Sequence, residues 1–596
     1  MRVLFILIIS ISMSALFGKT VNPNLRYEIS IPEPHTHYAV VKVSIDIQKP
    51  GEVIFKMPVW TPGSYLVREF EKSVEDFSAG SESKVLAWKK KDKNSWAVTC
   101  KKAGRISISY KVYAFEFSVR TSFIDQEQAL INPSSVCMLV NGFENSPGSL
   151  AINMPATYSK ISTSLASESE VDAAKNKIFY FQSYDELADS PIQIGNQEEI
   201  TFTVNGVPHT VALVGRNNAD KVKLANDLKK VCETMTAVIG EHPCKKYLFI
   251  VQNVESGGGG LEHLNSTVVV MNRFAWIDEN KYKSFLGLCA HEYFHLWNVK
   301  RIRPIELGPF DYNKENYTEQ LWVAEGITSY YDEIGLYRAG FVSKNDFLKS
   351  LEGYINDLEN RTGSKVQTLS ESSFDAWIKE YRPNENSKNT TISYYAKGLV
   401  TGALLDATIC ASTAGKKNLD DLMKLLWQRY YLAENRGFTV LEFEKAASEV
   451  AGKDLTAFFD VCVRSTTQPD YKGILESLGL SVKITLEDKK LSGASTQLEN
   501  GRTMVKFLER NSTFYDAGVN VNDELIAINN VRVNNDVEEI LRKLAYPADL
   551  NILVNRSGLI LNINTTVKSV SRFKISLNST TDSAIGSAAS KWLTKD

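Results

Sequence analysis

The apolar positions change period twice along the chain. Residues 38–47, 106–115 and 200–204 alternate apolar and polar side chains, the period-two signature of strands with one buried face. Turn residues separate them, and Pro58-Val-Trp-Thr-Pro-Gly-Ser-Tyr65 is a connection punctuated by proline and glycine. A β-sandwich-like domain over 19–205 is therefore expected. Short apolar strands follow at 247–252 and 267–271. The period then lengthens to that of helices at 283–299, 318–338, 347–358, 397–411 and 419–432. Strands first and helices after suit an α+β catalytic domain over 206–475. From 476 short β segments return around one short helix, which predicts a third domain over 476–570. Residues 571–596 form a C-terminal tail, in which 578–596, rich in Ser, Thr and Ala, is expected to be loosely ordered. The expected fold class is multidomain α+β.

The first residues obey a different rule. Arg2 precedes an apolar or small-residue run over 3–16 that ends near Gly18, too short to span a bilayer comfortably. This reads as a secretory signal peptide over 1–18, so the expectation is an exported protein, periplasmic or secreted. No later apolar run reaches membrane-spanning length, and no transmembrane segment is expected in the mature chain. A length of 596 residues is too great for one core, and 43% hydrophobic with 23% charged residues is ordinary for a globular protein. The formal net charge of −2 gives no reason to expect nucleic acid as a partner. Seven cysteines leave at least one unpaired within a monomer, and none sits in a Cys-x-x-Cys pair, so a cysteine-ligated zinc site is unsupported. Export permits disulfides, with Cys232 and Cys244 as one candidate pair and buried free thiols as the alternative.

The segment with the most specific chemistry is His291-Glu292-Tyr293-Phe294-His295, which follows an apolar helical run. Residues i and i+4 share a helix face, so both imidazoles can reach one metal ion. Glu292 then lies beside the metal's water without having to be a ligand, placed to take its proton. With only seven histidines in the chain, such a pair is less casual than it would otherwise be. A catalytic zinc of this kind needs a third protein ligand. Glu325 and Glu319 are both candidates, and spacing does not choose between them. Glu315 and Glu333 lack the apolar neighbours of a buried helix face.

His291-Glu-Tyr-Phe-His-Leu-Trp-Asn-Val-Lys-Arg301, followed by Trp322-Val-Ala-Glu-Gly-Ile-Thr, resembles the glycyl aminopeptidase family of PDZ-containing zinc metallopeptidases, relatives of the thermolysin-like gluzincins. The resemblance implies Glu325 as third ligand, one zinc ion per catalytic domain and a thermolysin-like catalytic fold with a mostly helical second half. It also gives meaning to Gly257-Gly258-Gly259-Gly260-Leu261-Glu262-His263. Read alone, a glycine run is a flexible turn, or a place where another backbone approaches closely. Related aminopeptidases carry a Gly-x-Met-Glu-Asn strip here, whose glutamate binds the substrate's α-amine. The resemblance therefore implies Glu262 as amine anchor and Gly258, Gly259 and Gly260 as substrate-binding backbone. Leu261 and His263 depart from the wider strip. Downstream, Ser393-Tyr394-Tyr395-Ala-Lys-Gly398 resembles a Tyr-x-Lys-Gly motif whose tyrosine donates to the oxyanion. Tyr395 fits that register, with Tyr394 the near alternative. Asn298, Lys300, Arg301 and Arg303 are expected to support the site, and the Pro58-to-Phe70 segment to pack against the catalytic lobe.

In the third domain, Asp516-Ala-Gly-Val-Asn-Val-Asn-Asp523-Glu-Leu-Ile-Ala-Ile-Asn-Asn530 resembles the signature of PDZ domains, which take an extended peptide as an added strand. A peptide C-terminus is the partner this implies, and a structural cap is the alternative. The function expected is zinc-dependent hydrolysis of N-terminal residues from peptides with a free amine, with small residues such as Gly or Ala preferred on the strength of the resemblance. The rival expectations are a zinc endopeptidase using the same site, and a periplasmic peptide-binding protein with an inert zinc domain.

Overall fold

Strand Tyr38–Ile47 shows how the alternating pattern folds. Every second side chain is buried, and the strand pairs antiparallel with Leu25–Ser30 on one edge and Gly104–Tyr113 on the other. These are the middle strands of an eight-stranded sheet that shares one core with two four-stranded sheets, so the N-terminal part is sandwich-like as expected. The computed structural model describes residues 24–82, 84–167, 176–544, 548–579 and 592–593. The expected signal peptide lies outside them. No helix among the described residues is long and apolar enough to cross a membrane.

The boundary expected at 205 moves back to about 197. Strand Glu198–Val204 pairs with Val207–Val214 and is the outer strand of a second, five-stranded sheet. Its alternation reported a half-buried strand correctly but could not report which sheet it joins. The order across this sheet is Glu198–Val204, Val207–Val214, Tyr247–Val254, Ser266–Asn272 and Gly260–His263. Tyr247–Val254 has parallel neighbours on both sides and is buried along nearly its whole length, which explains its continuous apolar run. Helices Lys221–Ile239 and Glu279–Phe294 cover one face of the sheet. On the other face Leu248, Ile250, Leu261 and Val270 pack with Val119 and Leu130 of the N-terminal domain.

The helical half follows the expected positions, with two local departures. The helix expected over 318–338 is a π-helical turn, Trp322–Gly326, running into an α-helix, Ile327–Arg338, and the one expected over 419–432 is Leu419–Leu426 continued by a π-helical stretch, Trp427–Ala433. The π turn abuts helix Tyr394–Ser412 through two glycines, for a Cβ on Gly326 would lie 2.4 Å from the Cα of Gly398. Larger side chains at either position would hold these two elements apart. All seven cysteines are free thiols, so Cys232 and Cys244 are not bridged.

The third domain is smaller than expected. Strands Ala494–Glu499, Arg502–Leu508, Glu524–Ile528, Asp549–Arg556 and Leu559–Thr566 form its sheet, with the short strand Val531–Arg532 paired to Glu524–Ile528, and it has two short helices, Thr513–Ala517 and Val537–Lys543, rather than one. It has its own core around Val505, Phe514, Ile552 and Val554. The expected limits of 476–570 are corrected, and so is the start of the tail at 571; the expectation of loose order over 578–596 falls almost wholly outside the described residues. Residues Leu480–Lys490 and Ser569–Ser579 pair over eleven positions as an antiparallel ribbon. Helix Lys344–Asn360 holds that ribbon: Asn356 and Asn360, one turn apart, bond the backbone of Ile575 and Phe573 as a neighbouring strand would. Ile575 and Leu577 are buried in the core beneath the five-stranded sheet and its helices, as are Trp592 and Leu593. The polar composition of the tail concealed the alternate apolar residues that dock it.

Candidate active site

Helix Glu279–Phe294 is capped by Asp278, whose side chain accepts from the backbone N–H of Asn280 and Lys281. Its last turn carries His291 and Glu292, and His295 sits at its C-cap. The i, i+4 spacing brings the two imidazole centroids to 4.7 Å. Their outer nitrogens are tied back: Nδ1 of His291 lies 2.8 Å from Asp332 Oδ2, and Nδ1 of His295 donates to the carbonyl of Asn298 at 2.9 Å. Both Nε2 atoms thus face inward, 3.4 and 3.2 Å from Glu325 Oε2. Ligand atoms of His291, His295 and Glu325 all lie within 4.8 Å of one another. Glu262, Glu292 and His295 satisfy the same criterion.

The third carboxylate is placed by the π turn. The backbone N–H of Ile327 reaches back to the carbonyl of Trp322, one residue further than in an α-helix, which leaves neighbouring carbonyls without their usual donors. Asn298 Nδ2 donates to the carbonyl of Val323 at 2.8 Å and lies 3.1 Å from that of Ala324 and 3.0 Å from Thr328 Oγ1, while the Thr328 hydroxyl donates to the Ala324 carbonyl at 2.7 Å. One asparagine therefore orients His295 through its backbone and the Glu325 segment through its side chain. Glu319, the competing ligand candidate, is exposed and takes no part in the cleft.

The cluster fits a cation. Glu325 Oε1 and Glu292 Oε2 are buried with no hydrogen-bond partner, an arrangement expensive to maintain unless something positive fills the space. Burial opposes charge on His291, yet Asp332 and Glu325 raise its pKa well above the ordinary imidazole value. Burial likewise opposes ionisation of Glu325, but His295 and His291 outweigh it and hold the carboxyl at about 2. Two imidazoles and one ionised carboxylate around a shared point make the donor set of a three-ligand metal site with an open position. Glu292 differs in kind. Burial pushes its carboxyl up to about 7, with His291 and His295 opposing and Glu262 and Glu325 adding to the rise. That value lets one group accept and return a proton near neutral pH.

Around this cluster is a cleft of about 590 Å³. Gly260, Glu262 and Tyr395 line it. Among the described residues, strand Gly260–His263 pairs only with Ser266–Asn272 and is the edge of its sheet, so its other side carries no strand there. Alternation along it turns Gly260 and Glu262 to the cleft and Leu261 and His263 away from it. Glu262 is 3% exposed, and its Oε1 has no hydrogen-bond partner, with Lys300 Nζ 3.9 Å away. Lys300 and His263 are both held by Asp189 of the N-terminal domain, at 3.0 and 2.9 Å. Gly259 and Gly258 continue the strand's line outside the cleft lining, and a Cβ on Gly258 would meet nothing. Of the two tyrosines, Tyr395 borders the cleft while Tyr394 is fully buried. Both bond the hydroxyl of Tyr381 at 3.0 Å.

Four residues near the cluster escaped sequence reasoning. Gly63 of the N-terminal domain abuts Glu262, since a Cβ there would lie 2.4 Å from its Oε1. Arg120, also N-terminal, lines the cleft, and Tyr381 backs Tyr395. Nothing local marks these three. Asp332 carried a readable signal, for it stands two helical turns after Glu325 on the same face.

Residues 26–196 match the model of the Peptidase M61 N-terminal domain, and residues 284–401 match that of M61 glycyl aminopeptidase. The crystal structure of an aminopeptidase N family protein from Idiomarina loihiensis is similar at 29% identity, with a TM-score of 0.88 over 96% of this chain and 100% of that one. An M1 zinc metallopeptidase from Deinococcus radiodurans is more distant, at 12% identity and a TM-score of 0.49 over 75% of this chain and 94% of that one. No curated protein matches. With two M61 domain models matched in successive parts of one chain, and a solved structure aligned along nearly all of it, this protein is a peptidase whose domains are similar to the M61 N-terminal and M61 glycyl aminopeptidase domains.

Proposed function

We propose that the protein is a zinc-dependent aminopeptidase, with His291, His295 and Glu325 as ligands. Two imidazoles and one carboxylate suit zinc. When bound there, the ion would supply positive charge that makes water more acidic and the scissile carbonyl more electrophilic. The chain's own groups do the rest. Glu262 accepts hydrogen bonds from the substrate's α-ammonium and fixes the first residue. Glu292 takes the proton from the attacking water and passes it to the leaving amine nitrogen. The Tyr395 hydroxyl donates to the oxygen that gains charge in the transition state, a contribution of roughly 3 kcal/mol for donors of this kind. Asp332 and Asn298 keep the imidazoles turned inward.

The observation that carries the exopeptidase reading is Glu262: a buried carboxylate, unsatisfied at Oε1, on the edge strand beside Glu292. Such a group favours an ammonium and would repel a mid-chain peptide carbonyl. Preference for small first residues such as Gly or Ala rests on the family resemblance. We also read residues 494–566 as a PDZ-like module, whose edge strand Ala494–Glu499 pairs only with Arg502–Leu508 among the described residues and so offers a free edge to an extended peptide. Export by a signal peptide over 1–18 completes the reading.

Paired alanyl peptides, one with a free amine and one N-acetylated, test the central claim. Cleavage of the free peptide alone, abolished by a chelator and restored by zinc, is the expected result. Equal cleavage of the acetylated peptide would make the enzyme an endopeptidase.

A further inference from the structure

The three landmarks of the cleft form a ruler along the edge strand. Glu262 marks the amine. Gly260 marks the scissile bond, because its would-be Cβ lies 2.1 Å from Glu292 Oε1. Beyond Gly260 comes Gly259, whose would-be Cβ lies 3.8 Å from Arg120 Nη1. A peptide anchored at Glu262 cannot run the opposite way, since His263 is 1% exposed and that end is filled by Asp189 and Lys300. The second and third residues of a substrate therefore pass Arg120, at about 3.3 Å of chain per residue.

Arg120 is not an isolated surface charge. Arg68, from the Pro58-to-Phe70 segment, stands close enough that Arg120 lowers its pKa further, after burial, with Glu116 and Tyr381 opposing. The Nε atoms of both arginines are buried without a hydrogen-bond partner. Arg68 Nη2 reaches only the hydroxyl of Ser64, at 3.0 Å. Neither guanidinium forms an ion pair among the described residues. Arg120 lines the cleft and Arg68 stands beside it outside the lining; two neighbouring cations with unpaired donors are costly unless an anion joins them, and a guanidinium is shaped to take a carboxylate with two parallel bonds.

We propose that Arg120, supported by Arg68, is a specificity site for a carboxylate on the leaving side of the substrate, within two or three residues of the amine. The enzyme is thereby directed to short peptides with a free C-terminus, or to peptides with an acidic second residue. This rests on the aminopeptidase reading and deepens it.

Three free-amine substrates test it on the wild-type enzyme: Ala-Ala-Ala, its C-terminal amide, and amidated Ala-Asp-Ala. A charged hydrogen bond of this type predicts kcat/KM roughly 10- to 100-fold higher for the free acid than for its amide. An equal advantage for the aspartyl amide over the alanyl amide would assign the site to a side-chain carboxylate instead, within the same proposal. Arg120→Gln should collapse the ratio towards one, and Arg120→Lys should restore part of it. Equal rates on all three peptides in the wild type, or a preference that survives in Arg120→Gln, would overturn the carboxylate site while leaving the aminopeptidase reading intact. That reading fails separately, through cleavage of N-acetylated peptides.

Discussion

Gly260 and Glu292 meet where no side chain fits: a methyl group on Gly260 would lie 2.1 Å from Glu292 Oε1 and 2.5 Å from its Cδ. The backbone of Gly260 is not in the left-handed region, so alanine there is a purely steric perturbation. Its collision partner is the end of a side chain, which can swing aside. Gly260→Ala should therefore fold with a melting temperature close to the wild type's while kcat falls about 100-fold, the cost of moving a proton-transfer group by an ångström or so. A variant that melts far lower with normal kcat would show that the contact serves stability instead.

Glu292→Gln should retain metal and lose activity by roughly 100- to 10,000-fold, because the amide cannot accept a proton. Metal content by mass spectrometry and single-turnover rates check the two halves. A glutamine variant that turned over near the native rate would remove Glu292 from the mechanism.

Asp332 positions His291. Its carboxylate fixes the tautomer and the ring plane, and partners of this type alter metal affinity by about 10- to 100-fold. Asp332→Asn should weaken zinc binding by that factor in a competition with a chromophoric chelator. Activity at saturating zinc should fall much less, and an unchanged affinity would argue against the role.

Acid should destabilise the fold through a cluster behind the motif helix. Nδ1 of His209 lies 2.9 Å from the carbonyl of Val207 and must donate to it, so its Nε2 accepts from the Tyr293 hydroxyl. Tyr293 in turn accepts from Nε2 of His242 at 2.7 Å. Both imidazoles are neutral in this chain of bonds, and burial pushes each pKa down to about 4. Unfolded histidine titrates near 6.5, so between these values the unfolded chain binds more protons than the folded one. The stabilisation is complete above about pH 6.5 and is lost as pH falls towards 4, by roughly 3 kcal/mol for His209 alone. Urea midpoints measured from pH 7.5 to 4.5 should decline through this window. A flat profile would contradict the neutral network.

The histidine pair was legible because a helix converts a four-residue spacing into a shared face. Glu325 was not legible on those terms: Glu319 competes at a similar separation, and what excludes it is a π turn and a pair of touching glycines, Gly326 and Gly398, that no local pattern announces. Strand Glu198–Val204 was readable as a strand yet assigned to the wrong sheet, because periodicity reports one element's burial and not its neighbours. Gly63 and Arg120 lay out of reach altogether, since they act on the cleft from another domain. Residues 571–579 of the tail were concealed for a different reason. Their apolar residues are few, and Asn356 and Asn360 on a distant helix do much of the work of holding them.

The ribbon of Leu480–Lys490 and Ser569–Ser579 carries the small third domain, which Asn389 of the body also holds through the backbone of Leu508 and Arg510, and Trp592 and Leu593 are seated in the main body. The chain goes out and comes back at one place. In topological terms the domain is a cassette inserted in a hairpin rather than an appendage at the terminus. It can be exchanged or excised at the hairpin's tip without opening the body's core, whereas a stop codon at the same point would strip away a strand and a buried tryptophan. Swapping the whole cassette should thus be tolerated where simple truncation is not.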